Sequence, residues 1–195
     1  MDEQTVVLQK LTTIFPELGL LIGAVVCLVT GLAPKAAVRR STPWIAAAAL
    51  VVAGLLVGTG EATSGVGLAG LADYLKLAVV GVGLVLIMVA AHIPEQLRQL
   101  KQAEASATFD PGNVIRGEVF AFMLFSLAGG MLTAGADDLV WLFLALELTS
   151  LPTYILVSTG RENITAQESG VKYFFLGAMS AAVFVYGFAL IYGAT

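Results

Sequence analysis

The chain has 195 residues, 58% of them hydrophobic and only 12% charged, with a net charge of -4 and a mean hydropathy of +0.89. Soluble domains carry about 25% charged residues, so this composition excludes a soluble enzyme and specifies an integral membrane protein; without a basic stripe, nucleic acid is not an expected partner. One cysteine, Cys27, and one histidine, His92, supply neither an intrachain disulfide nor a metal-binding cluster, so no redox cofactor held by this chain alone is expected.

The N-terminus reads MDEQTVVLQKL, acidic first and basic only at Lys10. A secretory signal opens with positive charge, so the first apolar segment is read as a retained span. Six apolar segments follow one another: 14–33, 44–59, 71–91, 119–135, 139–158 and 170–192. Backbone groups in hydrocarbon must be satisfied within the segment, and the residues lack the period-two alternation of a barrel strand. The expected fold is therefore all-α, a polytopic bundle of six transmembrane helices.

Basic residues set the expected orientation. Lys35, Arg39, Arg40, Arg98, Lys101, Arg116 and Arg161 lie on the first, third and fifth connections and make up seven of the ten Lys and Arg. Lys10 and Lys76 fall on the opposite side, and Lys172 lies inside a span. The positive-inside rule then places the N-terminus outside. The connection over 93–117 contains PEQLRQLKQAEAS, read as a short polar helix, and FDPGN, a turn signal. It divides the chain into a three-helix group (1–92), a cytoplasmic connection (93–117) and a group holding helices four to six (118–195). Gly19–Gly23 and Gly54–Gly58 have the GxxxG spacing that lets helices approach closely.

Most ionisable residues near the spans have a structural explanation. Glu17 follows Pro16 one turn into the first apolar segment, where a carboxylate complements a helix N-terminus. His92 and Glu95 flank Pro94 at the end of the third segment and read as interfacial. Asp137 and Asp138 sit in the turn before helix five; paired carboxylates attract protons, but capping of that helix is preferred. Glu118 and Glu168 begin helices four and six, again suiting the helix dipole. Lys172 does not, because the positive end of the dipole disfavours a cation one turn into a helix. Snorkelling to the interface is its structural alternative.

Glu147 stands apart. It lies nine residues after Asp138, about 13 Å along a helix rising ~1.5 Å per residue, within DLVWLFLALELTSLPTYILVST. A charge at the centre of a span costs ~2.5–3.5 kcal/mol on insertion scales, so such groups face protein or water and are usually functional. Lys172 on the next helix is the candidate partner, by direct contact or through water. A static interhelical hydrogen bond is the rival reading. Pro152 lacks an N–H and frees the carbonyl of Leu148. Thr149, Ser150 and Thr153 can bond freed carbonyls or hold water, as a proton route requires.

LFLALELTSLPTYILV, preceded by ADDLVW, resembles the fifth helix of the antiporter-like subunits of respiratory complex I, the proton-pumping NADH:quinone oxidoreductase. QESGVKYFFLGAMSAAVFVYGFALIYG resembles their sixth helix. FPELGLLIG and RGEVFAFMLFSLAGGMLTAGADD are similar, more narrowly, to the subunit N type. The resemblance is strongest over 116–193. It implies that Glu147 and Lys172 are proton-transfer residues of a half-channel. It also implies that NADH, FMN, iron–sulfur clusters and quinone belong to partner subunits, and that this chain carries no redox centre. The expected partners are other membrane-arm subunits and the lipid bilayer, in a bacterial inner membrane. Members of the family have about fourteen helices in inverted repeats, so the chain is expected to be a partial copy or fragment. Two rivals stay open: a subunit of a multisubunit sodium/proton antiporter or membrane-bound hydrogenase, and a non-pumping scaffold.

Overall fold

The computed structural model describes residues 3–33, 38, 41–59, 70–102, 117–159 and 164–194. Within them lie six helices: α1 (Glu3–Gly31), α2 (Thr42–Thr59), α3 (Leu71–Gln102), α4 (Gly117–Ala134), α5 (Leu139–Thr159) and α6 (Ile164–Ala194). Each contains a stretch long and apolar enough to cross a bilayer. The all-α, six-span expectation holds. Lys35, Arg39, Arg40, Arg116, Arg161 and the FDPGN turn lie outside the described residues, as do the side chains of Lys10, Glu95, Arg98 and Lys101.

Successive helices run antiparallel, as their contacts record. Gly31 at the end of α1 meets Gly117 at the start of α4, and Gly170 near the start of α6 meets Ser158 near the end of α5. At the opposite end of the bundle, Gly135, just past α4, packs against Lys76 near the start of α3. α4 is the hub, packing against α1, α2, α3 and α5, while α6 rests on α5.

The core forms because each inner helix carries one stripe of small and medium apolar residues at helical spacing. Ala46, Leu50, Ala53 and Val57 supply it from α2, and Phe120, Leu124, Ala128 and Met131 from α4. Leu20, Ala24 and Cys27 close it from α1, and Val80 and Ile87 from α3. The other faces are apolar as well: Ile22, Val29, Leu55, Val82, Met88, Phe175 and Val183 are exposed. In water such a surface would aggregate. In lipid it is the solvent-facing side, and exposed Trp44, Tyr74 and Tyr192 at helix ends suit the aromatic belts of the two interfaces.

Two expectations change. The PEQLRQLKQAEAS stretch does not start a separate helix; α3 runs on through Pro94 to Gln102. A proline clashes with the turn before it without always ending a helix. The GxxxG pairs are only half used. Gly23 lies against Ala49 and Gly54 against Val80, whereas Gly19 and Gly58 face open space.

Candidate proton-transfer residues in the helix bundle

Glu147 lies midway along α5, half-buried, and forms no ion pair among the described residues. Its helix starts cleanly. Asp138 accepts a 2.7 Å hydrogen bond from the Trp141 N–H, satisfying one of the four orphan donors of the first turn. That is the capping role expected of it, and both Asp137 and Asp138 are exposed.

Five residues beyond Glu147, buried Pro152 interrupts the backbone ladder without ending the helix. The hydroxyls around it behave differently from expectation. Thr149 donates to the Ala145 carbonyl at 3.0 Å, Ser150 to Leu146 at 2.9 Å, and Thr153 to Ser150 at 2.6 Å. All three bond their own helix at i−3 or i−4 carbonyls that still carry ladder bonds, rather than the Leu148 carbonyl that Pro152 frees. A χ1 that reaches the preceding turn is the short route for Ser and Thr in a helix, and it wins here.

The donor from outside the helix is Ser126 of α4, whose hydroxyl donates to the Thr149 carbonyl at 2.8 Å. It reaches α5 because Gly129 removes the barrier between the two helices: a Cβ there would stand 2.5 Å from the Thr149 nitrogen and 2.8 Å from the Leu148 carbonyl carbon. The sequence marks neither residue, although GG at 129–130 was the available signal for close approach. α4 and α5 thus meet backbone to backbone within a turn of Glu147.

The α5–α6 register decides the relation between Glu147 and Lys172. Ser158 faces Gly170, and the Tyr154 hydroxyl lies against Gly177. The Tyr154 ring also stands edge-on to Tyr173 and Phe174, at 4.7 and 5.9 Å between centroids. Counting from the Ser158–Gly170 level, Glu147 and Lys172 are separated by about 13 Å along the helix axes at ~1.5 Å per residue. Of the two routes left open, direct contact is not made. Lys172 instead pairs with Glu168, one turn away on α6, at 2.6 Å and largely exposed. An i,i+4 pair of this kind demands no interhelical geometry, which is why it forms in preference.

Among the described residues, a buried ion pair lies elsewhere. Glu17 on α1 and Lys76 on α3 meet at 2.6 Å, with side chains 1% and 5% exposed. Glu17 is therefore not in a first turn, since α1 begins at Glu3, and its carboxylate turns inward to α3. A carboxylate one turn inside an apolar run looks alike in sequence whether it faces headgroups or a neighbouring helix. Lys76, one turn inside the third run and entering from the same side, was the signal. Glu118 is exposed at the head of α4, as its position suggests.

A bundle of antiparallel apolar helices, with a carboxylate in mid-span and a buried Glu–Lys pair between two others, defines a polytopic membrane protein. Residues 136–195 match the family described as NADH:quinone oxidoreductase/Mrp antiporter, TM. The chain is 35% identical over 187 residues to the NADH-quinone oxidoreductase subunit N of Alkalilimnicola ehrlichii, covering 92% of this chain and 35% of that protein. It is 33% identical over 186 residues to subunit N 1 of Rhizobium meliloti, with the same coverage. It is 51% identical to the Myxococcus xanthus subunit N over 80 residues, covering 41% of this chain and 15% of that protein. A chain of respiratory complex I from Thermus thermophilus, solved with bound Aureothin, superposes with a TM-score of 0.66 at 24% identity. That likeness covers 92% of this chain and 37% of the other, and shows a common fold. Over 92% of its length the chain is thus similar to NADH-quinone oxidoreductase subunits N, as a partial copy of them. It spans about a third of the length of the curated relatives it matches.

Proposed function

We propose that this chain is a proton-translocating element of the membrane arm of an NADH:quinone oxidoreductase, with Glu147 accepting and passing a proton. The observation that carries the reading is the placement of Glu147: mid-span, half-buried, unpaired by any described residue, and one turn from a proline break where two helix backbones touch. A carboxylate so placed can take up a proton without first dissolving an ion pair. The Pro152 break leaves the Leu148 carbonyl as an acceptor that water can use. Lys172, held by Glu168, would communicate with Glu147 through water rather than by contact. NADH, FMN, iron–sulfur clusters and quinone would reside in partner subunits, whose redox chemistry drives charge movement here. The setting would be a bacterial inner membrane, among other membrane-arm subunits.

Replacing Glu147 with Gln in the assembled enzyme tests this. Proton translocation per quinone reduced, measured in membrane vesicles, should fall while assembly is retained. Unimpaired translocation would remove Glu147 from the route. A drop in assembly with normal translocation per complex would instead favour the scaffold reading. The matched family also includes Mrp antiporters by its description, so a second reading is a sodium/proton antiporter subunit. Co-purification with antiporter subunits rather than quinone-reducing ones would decide for it.

A further inference from the structure

One face of α5 carries the polar groups that look toward α6. Glu147, Tyr154 and Ser158 stand seven and four residues apart, which at about 3.6 residues per turn puts them on one stripe of the helix. On α6 that stripe meets glycines: Ser158 faces Gly170, and the Tyr154 hydroxyl lies against Gly177. α4 takes the other side of α5, where Gly129 meets Thr149 and Pro152 is buried. The three polar side chains therefore line a seam between α5 and α6, apart from the α4–α5 contact.

Tyr154 is only 9% exposed, its ring is fixed edge-on by Tyr173 and Phe174, and its hydroxyl bonds no described residue. A buried tyrosine O–H ordinarily finds a partner, and the ring contacts alone would be served as well by phenylalanine. Gly177 gives the hydroxyl its place, because a Cβ there would fall on the oxygen. Counted from the Ser158–Gly170 contact, Gly177 is level with Leu151, three residues nearer Glu147 than Tyr154 itself. The hydroxyl thus reaches about 4.5 Å toward Glu147, the direction in which helical side chains lean. Four residues, or about 6 Å, remain along the seam to the level of Glu147. One or two waters bridge such a span at ~2.8 Å per hydrogen bond. We infer that Tyr154 is a proton carrier of the α5–α6 seam, exchanging protons with Glu147 through water. This deepens, and rests on, the role proposed for Glu147.

The step balances. Water on the Ser158 side delivers a proton to the phenol oxygen and forms one O–H bond. The O–H bond facing Glu147 breaks, and its proton passes through water to the carboxylate, which becomes neutral. The hydroxyl is neutral before and after, and rotation about its C–O bond resets it. The same sequence reversed unloads Glu147. No ion pair has to open first, since Glu147 forms none among the described residues.

Tyr154→Phe in the assembled oxidoreductase is the test, because it removes the hydroxyl and keeps the ring with its edge contacts. Assembly should match the parent, since no hydrogen bond to a described residue is lost. The rate of proton translocation in vesicles should fall at least about tenfold, toward the lower end of the roughly 10²–10⁴-fold that a positioned proton carrier contributes. Assembly with parental translocation overturns the inference. If Tyr154→Phe does not assemble, Gly177→Ala decides, because its methyl group takes the space of the hydroxyl. An assembled complex with lowered translocation then supports the carrier, and one with parental translocation overturns it. Failure of both to assemble makes the Tyr154–Gly177 contact a packing element and also overturns it. Glu147→Gln measured in parallel separates the two readings. A loss there with parental translocation in Tyr154→Phe removes Tyr154 alone, whereas parental translocation in Glu147→Gln removes Glu147 and with it the recipient of the Tyr154 proton.

Discussion

Glu147 and Glu17 are both carboxylates inside apolar runs, and the sequence separates them by depth alone. Glu147 is legible because no interface lies within reach of the middle of a span. Glu17 is not, because one turn from the edge a side chain either snorkels or turns inward, and the choice depends on which helix stands beside it. The same limit explains Lys172: its i,i+4 partner Glu168 is visible in the sequence, but only the α5–α6 register shows that Glu147 is too far away. Two side chains invite direct tests at this scale. Replacing Asp138 with Ala removes the N-cap of α5 and should lower stability by about 1 kcal/mol, while Asn should be nearly neutral. Replacing Ser126 with Ala deletes the bond to the Thr149 carbonyl and should cost about 0.5–1.5 kcal/mol. Thermal unfolding of the purified complex, followed by loss of this subunit, reads both. No change in S126A would mean that water takes over as donor.

At the scale of elements, the close contact of α4 with α5 is set by Gly129 rather than by either GxxxG pair. The sequence motif identifies glycines that permit approach; it does not say which face another helix occupies, so Gly19 and Gly58 have the spacing and no neighbour among the described residues. A substitution therefore discriminates where the spacing cannot. Gly129→Ala places a methyl group against the α5 backbone, which cannot rotate aside, and overpacking of this kind costs typically about 1–3 kcal/mol. The α4–α5 contact would open beside Glu147, so assembled complex and proton translocation should both decline. Gly58→Ala, with open space around it, should leave both unchanged. Equal effects of the two would show that α4 and α5 adjust without loss. The start of α5 was legible because a cap residue announces it. The end of α3 was not, because Pro94 reads as a stop where only packing could have enforced one.

At the scale of the molecule, the apolar spans are readable because lipid demands about 20 apolar residues per crossing, but the order of packing around α4 is not. Every helix here is apolar on nearly all faces, so the inward stripe that would reveal neighbours in a soluble bundle has no polar contrast. Orientation is carried by the connections instead. Antiparallel succession puts the starts of α1, α3 and α5 at one end, and the connections whose sequence carries seven of the ten Lys and Arg join the helices at the other, which the positive-inside rule predicts to be cytoplasmic. Cysteine labelling in intact cells tests this, since Cys27 is fully buried and supplies a silent background. A cysteine at Ser64, between α2 and α3, should react with a membrane-impermeant maleimide added outside. One at Ser106, between α3 and α4, should react only after the membrane is opened. The reverse pattern would invert the bundle. The α4–α5 turn with Asp137 and Asp138, and the end of the bundle where the Glu17–Lys76 pair lies, would then face the cytoplasm.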